Sequence, residues 1–509
     1  MKSISIILLM VGVLAPASAI AQDGQNSILY SSMAQQFIGS NINGDANANL
    51  LPSVATQNGF GSYLDNPASM ALINMSYFNT GFVRNYAEQS NSYLDTGSSF
   101  DNSNTKFGNI GLVYSVPTNQ GSMVVGGGYT LSNQINRTNT LGTYNTRSTI
   151  TDAFKDDDSG YNNIAFETYA IDYADDEQTS LESIFRIGFD PGDFLGIRQD
   201  AEIRQRGTIG EYSIFLATEI QKNLFIGASL GFKYGNYSYE RKFQEWDENN
   251  VYDGAFIPGE DGDTDVFDIL VEDKITSEIV GANFNAGIIY KINPKFNIGA
   301  SIKIPSKMII TEEFNSSIST TLDEDPLIYF DEFNGEFSYS IRNPGQLNIG
   351  MAIENVAGFT ISLASEFIDY RNTSIDLTRD SELSFSDIVS LREQEEVFDS
   401  VFSADYKLVN NLKLGLKYKS KTGFEMRGGM NYLPGKSSNY NADRIVISGG
   451  LGIPLSREVY LDLSTQYTGW NDRSILYEYT DSQTGQERFE SIDETISQIN
   501  FMVGIKYRF

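Results

Sequence analysis

The chain has no cysteine and no histidine among its 509 residues. Without cysteine there is no disulfide, no thiolate metal site, no thiol nucleophile and no lipidated N-terminal anchor. Without histidine, Ser-His-Asp hydrolysis, histidine-assisted barrel proteases and His-bound zinc are excluded. Positive charge is scarce as well: 36 Lys and Arg stand against 66 Asp and Glu, a formal net charge of −30. Such a chain is a poor match for the phosphate backbone of nucleic acids. Carboxylates are plentiful, but no local pattern singles out a catalytic dyad. No phosphate-binding glycine loop stands between a strand and a helix. The expectation is a non-enzyme that needs no cofactor. The run Glu260-Asp261-Gly262-Asp263-Thr264-Asp265 resembles a calcium loop but lacks its spacing and its closing Glu, so it is read as a solvated external loop and no metal site is assigned.

Long apolar runs are missing too, except at the start. Lys2 precedes the apolar stretch Ile6 to Leu14, and Ala19-Ile20-Ala21 fits the small-x-small cleavage rule. Residues 1–21 are therefore read as a signal peptide, with Gln22 as the mature N-terminus. The apolar stretch is short of the ~20 residues a spanning helix needs. No later stretch reaches that length. The expectation is an exported chain without a transmembrane helix.

What the chain does have is alternation. After residue 70 it settles into segments of roughly ten residues or more with a period of two, the length of a tilted membrane strand. The C-terminus is clearest: Ile499, Phe501, Val503, Ile505, Tyr507 and Phe509 fall on one face, with Asn500, Met502, Gly504, Lys506 and Arg508 on the other. Leu347, Ile349, Met351 and Ile353 repeat the pattern, as do Leu412, Leu414, Leu416 and Tyr418. Alternation alone fits a soluble sandwich or a membrane barrel. The connections favour the barrel. Short ones (116–120, 221–223, 293–294, 355–358, 454–457) alternate with long ones (85–106, 133–205, 243–276, 314–335, 372–398, 471–495), as tight periplasmic turns alternate with external loops. Tyrosines such as Tyr234, Tyr237, Tyr239, Tyr290, Tyr370 and Tyr467 near strand ends suit interfacial aromatic girdles.

The fold class predicted is all-β: a transmembrane antiparallel β-barrel of about 14 strands, with 399–419 taken as one long strand because bacterial barrels have even strand numbers. Its lumen-side charges (Lys303, Lys413, Lys417, Glu425, Arg427, Asp462, Lys506, Arg508) are expected to pair across the interior. Residues 22–70 mix apolar side chains with Gly, Asn and Ser and do not alternate. They are predicted to form an N-terminal hatch, or plug, inside the lumen, with 71–509 as the barrel and its long acidic extracellular loops.

The hatch ends in Asn66-Pro67-Ala68, just before the first strand. Pro67 fixes φ and Asn66 can hydrogen-bond its own backbone, so the motif is read as a positioning element. Together with the Val116-Pro117 hairpin, the Arg342-Asn343-Pro344-Gly345-Gln346-Leu347 lead-in to a strand and the terminal Phe509, it resembles the FadL-type outer-membrane transporters of long-chain fatty acids and other hydrophobic compounds. The resemblance covers the mature chain, loosely in the loops. It implies capture of an apolar ligand at the external loops, a site inside the barrel and exit sideways into the outer membrane. In that family the gap arises at a kink in strand three, beside the Asn-Pro-Ala turn. Gly126, Gly127 and Gly128 fall in strand three here and suit a kink or a close backbone approach, the alternative being packing against lumen side chains. The implied partners are a hydrophobic small molecule, outer-membrane lipid and, through Phe509, the outer-membrane assembly machinery, with the chain a monomer and no nucleic acid bound. Two other readings stay open: a cargo-binding partner of a secretion system, and a general diffusion porin, against which the apolar hatch argues.

Overall fold

A computed structural model of the chain describes residues 37–38, 41–155, 160–174, 177–187, 194–252, 266–323, 328–379, 385–437, 443–481 and 484–509. The expected signal peptide, residues 22–36 of the expected hatch and the acidic run 260–265 lie outside them. The first strands are β1 (Tyr77–Tyr93), β2 (Thr96–Val116), β3 (Met123–Asn145), β4 (Ile171–Tyr173), β5 (Leu181–Ser183), β6 (Ile197–Gln221), β7 (Leu224–Trp246) and β8 (Val266–Asn293). Then come β9 (Phe296–Lys303), β10 (Ser306–Leu322), β11 (Ile328–Asn343), β12 (Gln346–Val356), β13 (Phe359–Asp369) and β14 (Ser374–Asp376). The last are β15 (Leu408–Lys419), β16 (Glu425–Leu433), β17 (Arg444–Pro454), β18 (Val459–Thr480) and β19 (Glu487–Arg508).

β4 and β5 form a separate small hairpin, and β14 is a short extension against β11. β9 and β10 are one barrel strand interrupted at Ile304-Pro305; β11 and β12 are another, interrupted at Pro344-Gly345. Counted this way the barrel has fourteen antiparallel strands. It closes where β1 pairs with β19, from Tyr77↔Arg508 to Ser92↔Asp493.

The period of two sends one side chain out and the next in. Leu347, Ile349, Met351 and Ile353 are 41–50% exposed while Asn348 and Ala352 are buried, and Phe501, Val503 and Ile505 are exposed while Asn500 and Met502 are buried. Neighbouring strands carry the same band: Leu112, Ile214, Leu230, Ile288, Ile298, Leu363, Leu414 and Ile447 all stand outward. An exposed belt of this kind is stable only against lipid. Its outer margin is a row of rings, Phe107 stacked on Tyr129 at 5.9 Å and Tyr129 against Tyr212 at 5.0 Å. Tyr290, Tyr507 and Phe509 stand near the opposite margin.

The strands run well past the belt. β8 has 28 residues, against the ~10 that cross a bilayer. Much of what alternation left as loop at 85–106, 243–276, 314–335 and 471–495 is therefore strand, and β1 and β2 turn over directly at Leu94-Asp95. One expected strand is partly a helix. Residues Phe385–Asp405 are helical, and only Leu408–Lys419 of the 399–419 segment is strand. Leu391, Phe398 and Phe402 sit at helical spacing on one buried face, which overrides any reading as a strand. This helix, the helix Gly160–Glu167 and the β4–β5 hairpin bring Ile164, Ile171, Phe185 and Leu391 into one apolar cluster with the wall residues Tyr239, Phe243, Ile275 and Phe337. The outer half of the barrel is filled with it.

Leu414 lies in mid-belt at 49% exposure. Leu414→Lys is expected to lower folding stability in lipid vesicles by about 2–4 kcal/mol, measured by urea unfolding. An unchanged midpoint would mean that residue 414 does not face lipid.

Candidate functional site

Residues 41–76 do not join the sheet; they touch its inner face on every side. Gly44 meets Gly108 of β2, Pro67 and Ala68 meet Gly227 of β7, Val54 meets Gly299 of β9 and Leu51 meets Gly415 of β15. A Cβ at any of these four wall positions would come within 2.0–2.7 Å of the segment's backbone or that of its partner. A segment that contacts opposite walls of a closed barrel lies within its ring. The wall is carved to admit it, with glycine where its backbone passes.

Polar side chains hold the segment's own turns. The Asp45 carboxylate accepts from the Asn47 N–H at 3.1 Å and from the Gly61 N–H at 2.7 Å. Asn47 in turn donates to Asp462 of β18 at 2.8 Å. Asp462 also pairs with Arg427 at 2.9 Å, and Arg427 with Glu425. Lys413 lies 3.4 Å from Glu366 and 3.7 Å from Asp65. Lys413, Glu425, Arg427, Asp462 and Lys506 do pair, but with residues of the same or nearby strands rather than across the interior, Lys413 also reaching Asp65 of the segment. Lys303 does not, and Arg508 lies over the Tyr460 ring instead.

Asn66-Pro67-Ala68 begins a 3₁₀ turn, Pro67–Leu72. Asn66 caps it: its Oδ1 accepts from the Ala68 N–H at 2.9 Å, with Pro67 at the first position, where a missing N–H costs nothing. The Asn66 amide nitrogen lies 2.7–3.3 Å from the carbonyl oxygens of Val54, Ile288 and Ala300. Gly287 leaves room for it; a Cβ there would stand 1.9 Å from Asn66 Oδ1. The motif is thus a three-way tie among the segment, β8 and β9. It sits against β7, β8 and β9, and the turn it begins also packs on β6 and reaches β3 at Val124.

Gly126, Gly127 and Gly128 hold ladder pairs on both sides, with Val113, Leu112 and Gly111 of β2 and with Phe215, Ile214 and Ser213 of β6. The irregularity comes just after them, where the β3–β6 register shifts between Leu131 and Asn133. Gly126 takes the alternative role: a Cβ would strike the Phe215 ring at 2.4 Å, and that ring stacks on Tyr63 at 5.0 Å.

The β2–β3 ladder has only eight pairs, ending at Asn109↔Thr130. Beyond it β2 stays paired with β1, and β3 with β6, but not with each other. Side chains cross this seam instead: Asn102 donates to Asn136 at 2.5 Å, Gln134 to Asn104, and Ser98 to the Thr140 carbonyl at 2.5 Å. The break falls at the aromatic margin, beside Phe107 and Tyr129. At the same point the interior segment bonds to β3. The N–H groups of Asn41 and Ile42 donate to Ser132 O at 3.2 and 3.3 Å, and that of Gly44 to Leu131 O at 2.9 Å. The Asn41 side chain accepts from the Gln134 N–H at 2.9 Å and donates to its carbonyl at 2.8 Å. Asn41 was not singled out in sequence, because nothing local marks an asparagine whose partners lie some ninety residues away.

A closed antiparallel barrel with an apolar outward belt, polar inner positions and a filled interior defines an outer-membrane type of β-barrel. It shares its fold with the P. putida toluene transporter TodX, at 12% identity over 91% of this chain and 98% of that one, with a TM-score of 0.52. A Pseudomonas aeruginosa FadL homologue is similar at 11% identity over 93% and 100% of the two chains, with a TM-score of 0.50. No family model matches the chain, and no curated protein matches it in sequence.

Asn66→Ala removes a cap and the donor shared by three carbonyls, a loss of about 1–3 kcal/mol. Hydrogen exchange is expected to rise across residues 41–72 while the β7–β8 ladder keeps its protection. Equal loosening of both would mean that Asn66 braces the wall, not the segment.

Proposed function

We propose that the protein moves hydrophobic small molecules into the outer membrane: capture outside, passage through the apolar outer half of the barrel, and release sideways at the β2–β3 seam. The observation that carries this reading is the seam itself. Two adjacent strands of a closed barrel give up their backbone pairing at the outer margin of the belt, and the interior segment binds the freed carbonyls there. Residues 41–70 then act as a hatch, with Asn66-Pro67-Ala68 fixing its base and Asn41 to Gly44 holding its upper end. The shared fold with a toluene transporter agrees with the cargo class. Sideways release has a physical rationale: at ~0.8 kcal/mol per CH₂, a sixteen-carbon chain loses about 12 kcal/mol on passing from an apolar site into water. Delivery to lipid avoids that step. An open diffusion porin fits poorly, because the hatch and the apolar cluster fill the lumen.

Cells expressing the protein are expected to take up labelled long-chain fatty acid, and the double variant Asn66→Ala/Pro67→Ala to take up much less. No uptake by cells with folded barrel in the outer membrane would rule out fatty acid as cargo. The seam has its own test, made clean by the absence of native cysteine. A short cleavable thiol bridge between Asn102→Cys and Asn136→Cys should cut uptake at least tenfold and restore it on cleavage. Uptake indifferent to the bridge would move the exit elsewhere.

A further inference from the structure

The wall is broken at a second place. β9 pairs with β12 up to Lys303↔Gln346, and β10 with β11 from Ser306↔Asn343. Between these pairs Ile304-Pro305 faces Pro344-Gly345 with no ladder pair across. Neither proline has an N–H to offer, so the gap is written into the chain. The break lies at the outer margin of the belt, where Ile302, Ile304 and Leu347 still face lipid at 41–49% exposure.

A narrow cleft opens at this break, lined by outward Ile304, by Ile368 and Tyr370, and by inward Lys233, Lys303 and Asn343. Its lining runs from the lipid-facing side to Ile38 of the interior segment. Lys233 is 5% exposed and Asn343 8%. Both side-chain polar atoms of Asn343 lack a hydrogen-bond partner. Among the described residues, neither Lys233 nor Lys303 has a carboxylate within ion-pair distance. The nearest acids act on them at longer range: Glu211, which accepts from Ser213 and Asn283, lies opposite Lys233 on β6, and Glu366, which pairs with Lys413, acts on Lys303. This is a chain with thirty more acidic than basic residues. Buried Lys233 and half-buried Lys303, neither in an ion pair, and the unsatisfied buried amide of Asn343 form the complement of an anion.

We infer that Lys233, Lys303 and Asn343 bind the anionic head group of an amphiphile whose apolar tail lies along the outside of the barrel beside Ile304 and Leu347, the head reaching the lysines through the Pro305/Pro344 break. The inference deepens the transport reading and rests on it for cargo class, but the site is separate from the β2–β3 seam. The shared chemistry is an anionic oxygen group on an apolar tail. The amphiphile is either transported cargo or resident membrane lipid.

The test is equilibrium binding of three sixteen-carbon probes, hexadecanoate, hexadecyl phosphate and neutral hexadecanol, to the purified full chain in neutral detergent. Lys303→Met and Lys233→Met/Lys303→Met are compared with the parent. Both changes remove an unpaired charge, and heat-modifiable gel migration confirms that each barrel is folded. Both anions should bind at least tenfold more weakly to the double variant, with Lys303→Met intermediate and hexadecanol unchanged. Equal binding of the anions to parent and double variant overturns the site, as does an equal loss for hexadecanol. Native mass spectrometry of barrel extracted from membranes separates the sources: an anionic lipid retained by the parent and lost from the double variant marks a resident lipid, and its absence from both marks cargo. Uptake of hexadecanol by cells carrying the double variant separates the two readings. If it persists while anion binding is unaffected, the head-group site fails alone; if the parent also takes up none, the transport reading fails.

Discussion

Backbone pairing in lipid is the constraint on which the rest of this structure depends. No water is available inside a bilayer to satisfy an open N–H or C=O, so a sheet there must close on itself. The ladder is closed in this way within the belt: β2 and β3 pair from Val116↔Met123 to Asn109↔Thr130, and β9 with β12 from Phe296↔Ile353 to Lys303↔Gln346. Both interruptions lie at the outer margin. There side-chain amides, head groups and water can satisfy what the ladder does not. The wall can open only where the lipid constraint ends, so any path through it begins at the level of the aromatic rings.

The interior follows from the same constraint. A closed barrel of this size encloses space that its own inward side chains do not fill, and the chain fills it in two ways. Toward the base, an irregular segment lies on wall glycines and is tied by amides and ion pairs such as Asn47–Asp462 and Lys413–Asp65. Toward the outside, the long connections fold back and contribute Phe154, Tyr161, Phe185 and Phe402 to an apolar cluster. The polar half gives directional contacts that break or form as a unit. The apolar half gives non-directional ones that an apolar ligand can replace without leaving a hydrogen bond unmade.

Sequence made the wall legible because the wall obeys a local rule. Parity places Leu347, Leu414 and Phe501 outward and Asn348, Asn500 and Met502 inward, and the structure agrees. The same rule separates the tyrosines that proximity to strand ends had grouped. Tyr234, Tyr290 and Tyr467 face out, while Tyr237, Tyr239 and Tyr370 are buried. Tyr237 and Tyr239 stand an odd number of residues from Tyr234, so the strand turns them inward. The helix Phe385–Asp405 was hidden because its apolar residues are sparse, and Phe398 and Phe402 also suit the start of a strand. Partners distant in sequence were not legible at all. Asn66 could be seen to cap a turn, since that bond spans two residues. Its ties to Ile288 and Ala300, and those of Asn41 to β3, exist only after the barrel has closed. The glycines of strand three gave a real signal of close approach, by backbone at Gly127 and Gly128 and by the Phe215 ring at Gly126, and the bend comes after them at Ser132.

The distribution of charge follows from how these partners are arranged. Near the base every inward cation except Lys417 has a carboxylate or an aromatic face: Arg427 with Asp462, Lys413 with Glu366, Arg508 with Tyr460. Lys417 reaches the Gln57 carbonyl instead. Packing of this kind neutralises the region where the interior segment must seat. At the Pro305/Pro344 break the pattern stops, although acids are the commoner charge in this chain by nearly two to one. A shortage of carboxylates cannot explain lysines left without one. For Lys303 the geometry can: Pro305 and Pro344 interrupt the strands beside it, and the same interruption opens the cleft. The missing ladder pair and the missing ion pair of Lys303 thus share a cause, and the wall is left with a lysine-lined recess at the level where lipid head groups meet the protein.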